Sequence, residues 1–358
     1  MFYYLLYPLA DQNIFFNIFK YITVRSFGAL FTGLFLYGIL GRLQILIMQR
    51  WQVTQVIRDD GPKSHLVKTG TPTMGGILIL LCVLVSTLLW MNFEILFVWL
   101  ALLIFISYAG IGFWDDYRKL RYGSSRGLQG RYKLILQFFF AAGAATLLYH
   151  FSTVESRLAF PFFKSVQPDL GWVYIPFALL VVVGASNAVN LTDGLDGLAS
   201  GPLVTSYMTY AVLAYLGGHV KIAAYLQIPH IVGVGELTVF CAAVVGALIG
   251  FLWFNTYPAE IFMGDVGSLP LGGALGLVAL MTKNEILLVI VGGIFVLEAV
   301  SVITQVISFK LTGKRLFRMA PIHHHFELKG WEEPKVIVRF WIISFILALL
   351  ALSTLKLR

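Results

Sequence analysis

The sequence predicts an all-α polytopic membrane protein with about ten transmembrane helices. Of its 358 residues, 58% are hydrophobic and only 12% are charged, whereas roughly 25% of the residues of a soluble domain carry charge. Nine apolar stretches are charge-free and mostly of the length that a membrane-spanning helix requires: 26–41, 69–93, 95–114, 134–154, 170–192, 197–220, 237–259, 266–282 and 340–355. A tenth apolar stretch, 286–309, contains Glu298 as its one charged residue. Without an internal repeat or a long charged linker, residues 1–358 are expected to form a single membrane domain.

The net charge of +8 is explained by membrane topology, so no nucleic-acid partner is expected. If the N-terminus is outside, the loops 46–73, 115–133 and 308–339 lie on one side and hold 17 of the 26 Lys and Arg residues. Because cytoplasmic loops carry the excess of Lys and Arg, that side is predicted to be cytoplasmic and both termini outside. The apolar segment 1–19 lacks a basic region and a cleavage site, so a retained helix is expected there.

Two short loops near 190–197 and 255–266 fall on the same predicted cytoplasmic side, and a large share of the acidic residues lies in these five loops. Carboxylates at membrane depth need compensation. Asp115 and Asp116 stand at the inner end of the third span, where the helix dipole already disfavours negative charge. One interpretation is a solvated helix end neutralised by Arg118 and Lys119. The other is a divalent metal site or a general base.

The segment 187–197 ends the fifth span with two asparagines, two aspartates and two glycines. Asp193 and Asp196 are three residues apart and would share a face of a helical turn, while the glycines allow a ligand to approach the backbone. The ligand spacing of a calcium loop is absent. Capping of the next helix accounts for one aspartate but not for both together with Asn190.

The segment 254–268 links the seventh and eighth spans and contains Asn255 and Phe262. Asp265 is placed to cap the eighth helix. The same position can serve a nucleotide, because a helix N-terminus favours phosphate and a carboxylate can hold the accompanying magnesium ion. Phe262 offers a face on which a base can stack.

Three consecutive histidines, His323, His324 and His325, lie in the last long basic loop. Consecutive side chains cannot all point at one ion from a regular element, so donors to phosphate or sugar oxygens are favoured over a zinc site. Lys68, near Thr73 in a Thr/Gly-rich turn, and Lys133, at the start of the fourth span, can neutralise a diphosphate, although the spacing of a P-loop is missing.

Glu298 is the one acid within a predicted span. An intramembrane carboxylate is a functional hypothesis by default, and the alternative is a hydrogen bond at a kink or break of the ninth helix. The sequence does not indicate its partner.

In order and spacing these segments resemble the phospho-N-acetylmuramoyl-pentapeptide transferases over essentially the whole chain. The resemblance rests on residues 68–76, Asp115-Asp116, 187–197, 264–268 and 321–327, and the chain departs from the expected pattern at Trp114. It implies a ten-helix fold with a cytoplasmic cleft in the bacterial inner membrane, dependence on Mg²⁺, and a homodimer. It also implies the exchange of UMP on UDP-MurNAc-pentapeptide for undecaprenyl phosphate.

The resemblance further implies roles for individual residues of this sequence. Asp265 and Asp116 would belong to the magnesium environment, and Asp115 would activate the lipid phosphate. We expect direct attack by that phosphate, since a phosphate monoester is already an anionic nucleophile. The substrate-binding residues implied for the nucleoside are Asn190, Asp193, Asp196, Asn255 and Phe262, and those for phosphates or sugar are Lys68, Thr73, Lys133, His323, His324 and His325.

Two other functions remain open from the residues. A sister transferase that uses a UDP-N-acetylhexosamine would carry the same aspartate segments, but the histidines followed by Phe326 and Glu327 argue against it. A transporter or lipid flippase would line a path through the bilayer with charges, whereas here the acids lie mostly on one predicted side.

Overall fold

The computed structural model describes residues 1–54, 68, 70–123, 127–152, 154–163 and 166–356. The regular elements of these residues are all helical, and β-pairing among them is limited to two isolated bridges, Thr54 with Pro72 and Arg157 with Asp169. Thr69 of the segment 68–76 and the loop residues Arg58, Lys63 and Arg126 lie outside the described residues.

Fourteen α-helices follow one another along the described chain, with short 3₁₀ turns between some of them. They are α1 (Phe2–Leu6), α2 (Ile22–Arg50), α3 (Gly76–Trp90), α4 (Leu96–Tyr122), α5 (Gly130–Phe151), α6 (Tyr174–Thr192), α7 (Ser200–Gly218), α8 (Val220–Leu226), α9 (Leu237–Asn255), α10 (Asp265–Met281), α11 (Leu288–Val291), α12 (Gly293–Thr312), α13 (Ile322–Glu327) and α14 (Glu333–Ser353).

Each predicted span is helical in the structure, so the prediction of an all-α polytopic membrane protein is confirmed. Seven helical segments of the described chain are long and apolar enough to cross a membrane, and α3 and α10 are shorter apolar helices. Two details differ from expectation. The predicted ninth helix is interrupted at Gly292, between α11 and α12, and the segment 1–19 forms a short helix followed by 3₁₀ turns and not one helix.

The centre of the bundle is formed by α9 and α10. Every residue of α10 after Asp265 is buried. Helix α2 crosses α9 closely, because a Cβ added at Gly246 would lie 2.0 Å from the carbonyl oxygen of Leu30. Small residues at such crossings let helix backbones approach within a membrane, where packing replaces the hydrophobic effect as the driving force.

Glycines also bring α4 and the first residue of α3 against the start of α10. A Cβ added at Gly112 would lie 2.1 Å from the carbonyl oxygen of Asp265, and one added at Gly76 would lie 2.3 Å from Cα of Gly267. The obstructing atoms belong to backbone, which cannot swing aside as a flexible side chain does. The end of α4 and the first residue of α10 therefore meet at one end of the bundle.

We predict that Gly112→Ala separates α4 from α10, because its methyl group has no room beside the Asp265 backbone. Overpacking of this kind costs about 1–3 kcal/mol, and a displacement of about 1 Å at a reacting centre can cost about 100-fold in rate. Thermal unfolding in detergent and a turnover assay measure the two effects. The matched control is Gly110→Ala on the same helix, where an added Cβ meets nothing within 4 Å; equal behaviour of the two variants would contradict the prediction.

Candidate active site

Three carboxylates from two distant segments converge at the contact between α4 and α10. Asp115 and Asp116 are buried in the last turns of α4, and Asp265 is the first residue of α10. One carboxylate oxygen from each lies within 4.8 Å of the others. This oxygen-only donor set fits a magnesium ion, which binds protein through one or two carboxylates together with phosphate oxygens and water.

Two lysines compensate the three carboxylates. Lys119 Nζ lies 2.6 Å from Asp115, 3.2 Å from Asp116 and 3.2 Å from Asp265. Lys133 Nζ lies 2.6 Å from Asp265. When all five groups are ionised, one negative charge is left uncompensated, so a divalent cation would turn the cluster positive and attractive to phosphate.

The solvated-end interpretation of Asp115 and Asp116 is wrong in one respect. Both carboxylates are buried, at 3% and 5% exposure. Of the two basic residues considered as neutralising partners, Lys119 makes the contacts, while the guanidinium of Arg118 lies over the ring of Tyr122. The pair of aspartates is therefore held inside the protein and not on a solvent-exposed helix end.

Neighbouring amides orient each carboxylate. The backbone N–H of Leu128 donates to Asp115 at 2.8 Å, and that of Val266 donates to Asp116 at 3.0 Å. The amide of Asn190 donates to Asp265 Oδ1 at 2.8 Å. Asn190, which was predicted to bind the nucleoside, thus lies against the carboxylate cluster itself.

The expected capping role of Asp265 is not observed. The N-cap of α10 is Gly264, whose φ of +75° favours glycine, and no side chain makes a capping bond there. Asp265 stands in the first turn, where a negative charge is favourable to the helix dipole. Its side chain is therefore committed to the lysines and to Asn190.

Asp193 and Asp196 lie in the turn between α6 and α7 and not on a common helical face, because α6 ends at Thr192. Burial raises the pKa of Asp193 to about 8, helped by the negative charges of Asp265, Asp116 and Asp196. Asp196 is 2% exposed. Its two oxygens accept from Lys68 Nζ at 2.6 Å and from the backbone N–H of Ala259 at 2.9 Å.

The loop before α3 and the loop before α10 are joined through their backbones. The N–H of Phe262 donates to Pro72 at 2.8 Å, and the N–H of Gly75 donates to Phe262 at 2.8 Å. Thr73 is buried between these contacts, whereas the ring of Phe262 is half-buried. Asn255 is buried and donates to the carbonyl of Ile261 at 2.8 Å, so its amide stabilises the loop that carries Phe262.

The three histidines have different surroundings on α13. His323 is fully buried, with Nδ1 3.1 Å from Glu298. His324 Nδ1 lies 2.7 Å from Glu327, and His325 Nδ1 accepts from the backbone N–H of Arg318 at 3.1 Å. Desolvation and the positive charges of Lys329 and Arg318 lower the pKa of His325.

Glu298 has a partner that the sequence did not indicate. It lies inside α12, away from the interruption at Gly292, and faces His323. The other ring nitrogen of His323 approaches Gly194, since a Cβ added there would lie 2.4 Å from Nε2. The histidine segment is thus packed on the turn that carries Asp193 and Asp196.

Sequence reasoning missed Glu333. Its carboxylate contacts Lys68 Nζ at 2.5 Å, yet in the sequence it is one of two acids in an ordinary first helical turn beside Pro334. No local pattern distinguishes it from Glu332.

The chain is similar to known proteins over its whole length. A family model described as glycosyl transferase family 4 matches residues 96–283, and phospho-N-acetylmuramoyl-pentapeptide-transferase signature 1 matches residues 68–80. The chain is 61% identical to the phospho-N-acetylmuramoyl-pentapeptide-transferase of Syntrophus aciditrophicus (strain SB) and 58% identical to that of Citrifermentans bemidjiense, with 100% of each chain covered. The chain therefore belongs to the phospho-N-acetylmuramoyl-pentapeptide-transferase family.

Proposed function

We propose that this chain transfers phospho-MurNAc-pentapeptide from UDP-MurNAc-pentapeptide to undecaprenyl phosphate. The products are UMP and the lipid-linked diphosphate known as lipid I, an intermediate of peptidoglycan synthesis. The observation that carries the proposal is the convergence of Asp115, Asp116 and Asp265 with two lysines at one end of an apolar helix bundle. The names of the full-length relatives support the same reaction.

The membrane arrangement belongs to the proposal. The chain is a multi-pass bacterial membrane protein, and we place its active site on the cytoplasmic side of the inner membrane with both termini outside. The excess of Lys and Arg in the loops on that side supports this orientation. We also propose a homodimer, as the resemblance to the family implies.

Mg²⁺ is the proposed cofactor, held by Asp265 and Asp116. When bound, it would neutralise diphosphate oxygens and leave the phosphorus more open to attack. The fit rests on the three carboxylates and on the single negative charge that the lysines leave uncompensated. Lys119 and Lys133 keep the carboxylates in place and add positive charge near the incoming phosphates.

The reaction exchanges one phosphoanhydride for another. An oxygen of the lipid phosphate attacks the sugar-bearing phosphorus of the nucleotide, a new P–O bond forms, and the bond to the UMP oxygen breaks. Asp115 is the proposed residue that activates the lipid phosphate, by accepting its proton or orienting its oxygen. The residues of the site then contribute mainly by positioning two polyanions and offsetting their charge.

Nucleotide recognition is assigned to the loops around Asp193, Asp196, Asn255 and Phe262. The half-buried ring of Phe262 offers a stacking surface to uracil. For the phosphates and the sugar, the proposed donors are Lys68, Thr73, Lys133, His324 and His325. His323 belongs to the same group by resemblance, and its buried position against Glu298 and Gly194 favours a role in holding α13.

Release of UMP by the detergent-purified protein tests the proposed reaction. With undecaprenyl phosphate and Mg²⁺ present, we expect release from UDP-MurNAc-pentapeptide and none from UDP-N-acetylglucosamine. Release only from the simple sugar nucleotide would move the chain to the sister transferases. Failure with both, in a preparation that binds both substrates, would reject the transferase assignment.

We predict that Asp265→Asn lowers turnover by about 1,000-fold or more, because a neutral amide cannot hold the cation or balance Lys133. Circular dichroism and detergent gel filtration should show a folded protein. Asp11→Asn, which changes an exposed acid in the N-terminal segment, is the control and should retain full turnover. EDTA should likewise abolish turnover of the unmodified protein, and added Mg²⁺ should restore it. Full activity of Asp265→Asn would remove Asp265 from the site.

A further inference from the structure

Glu333 joins two residues of the nucleotide site through a single oxygen. Its Oε1 accepts from Lys68 Nζ at 2.5 Å and from the backbone N–H of Asp196 at 3.1 Å. Its side chain is 10% exposed, whereas the adjacent Glu332 is exposed. Two acids that are equivalent in sequence therefore differ completely in their surroundings.

The contacts of Glu333 extend to the loops around the proposed nucleotide site. Lys68 Nζ contacts Asp196 as well as Glu333, and the second oxygen of Asp196 reaches the backbone of Ala259. The segment before α3, the turn before α7, the loop before α10 and the start of α14 thus meet at one hydrogen-bonded cluster.

Glu333 is held on a packed support and not on a mobile surface. The first turns of α14, the turn 195–198 and the start of α12 share an apolar cluster whose buried members are Leu195, Leu198, Ile294, Val336, Ile337 and Phe340. Trp341 adds a hydrogen bond from Nε1 to the carbonyl of Gly197 at 3.1 Å. The carboxylate therefore occupies a fixed position relative to the turn that carries Asp193 and Asp196.

We propose that Glu333 is a positioning residue of the nucleotide-sugar site, an inference that rests on the proposed function. A lysine side chain is among those that lose the most conformational freedom when they are held in one rotamer. Because Glu333 and Asp196 hold Lys68 before the substrate binds, the lysine has already lost this freedom. Its ammonium group is then oriented toward the diphosphate in the free protein. Glu333 acts through Lys68 and Asp196 and does not itself touch the substrate.

A role in sequestering Lys68 from the substrate predicts a change in nucleotide affinity of the opposite sign. If the two carboxylates only sequestered Lys68, the nucleotide would have to compete with them for the ammonium group. Removing the charge of Glu333 would then tighten nucleotide binding. A positioning role predicts weaker binding on the same change.

Glu333→Gln is the test variant, because its amide oxygen can still accept from Asp196 while the charge facing Lys68 is lost. Glu332→Gln is the matched control. UDP is the binding probe, measured by calorimetry on the full-length purified protein, and steady-state kinetics give KM and kcat with both substrates. We expect the Kd for UDP and the KM for UDP-MurNAc-pentapeptide to rise about tenfold, with kcat and the KM for lipid phosphate within about threefold.

A double-mutant cycle separates positioning through Lys68 from a general structural effect. In a Lys68→Met background, Glu333→Gln should weaken UDP binding by less than about twofold. An equal loss in both backgrounds, or unchanged or tighter UDP binding by the single variant, overturns the proposal. If Glu333→Gln does not purify as a folded protein, Glu333→Asp replaces it, and an unchanged Kd for UDP in that variant has the same meaning.

The binding measurement also separates this inference from the proposed function. UDP affinity is measured without lipid and without turnover. A Glu333-dependent Kd in a protein that releases no UMP from either nucleotide would overturn the transferase assignment and support the positioning role. Normal turnover together with a Kd for UDP that does not depend on Glu333 would support the transferase assignment and overturn the positioning role.

Discussion

One ion cluster determines how the helices are arranged at the candidate active site. It consists of Asp115, Asp116 and Asp265 with Lys119 and Lys133. Removing a charge from water costs several kcal/mol, and loss of one partner leaves the other buried without compensation. The helices that supply these side chains cannot separate without incurring that cost. Glycine contacts, above all Gly112 against the Asp265 backbone, provide the short interhelical distance that the cluster requires.

A second set of contacts holds the loops that are proposed to bind the substrate. The histidine segment α13, the start of α14 and the turn after α6 rest on one small apolar cluster that is separate from the main core. Polar contacts lie above it, including His323 with Glu298 and Lys68 with Asp196 and Glu333. The clustered carboxylates and the loops proposed to bind the nucleotide are thus stabilised by different sets of contacts. The position of the carboxylates therefore does not depend on the contacts that hold these loops.

The sequence was sufficient to predict the long helices, because an apolar stretch of membrane length is rarely stable except as a transmembrane helix. It underestimated α2, predicted from residues 26–41 and observed as Ile22–Arg50. Arg25 falls inside this helix because it forms a buried two-point ion pair with Glu236, at 2.6 and 2.7 Å. A partner 211 residues away leaves no mark in a count of charged positions.

The same limit applies to the site. The aspartate segments were predictable because several carboxylates on one side of a membrane protein need a common source of compensation. Glu333 and the partner of Glu298 were not, since each is an ordinary residue by composition and acquires its role only when residues 320–333 fold back on the turn after α6. The capping role expected for Asp265 was wrong because Gly264 occupies that position. Tertiary packing, and not local preference, decided the first two.

The positions of the lysines along the chain have a consequence for biosynthesis. Lys119 follows Asp115 and Asp116 within about one helical turn, so the nascent α4 carries its own counter-charge as it leaves the ribosome. Lys133 is also made long before Asp265, its later partner. Each acid of the cluster therefore enters the membrane with a cation beside it or already waiting, and no stage of assembly requires three unbalanced carboxylates to be buried together.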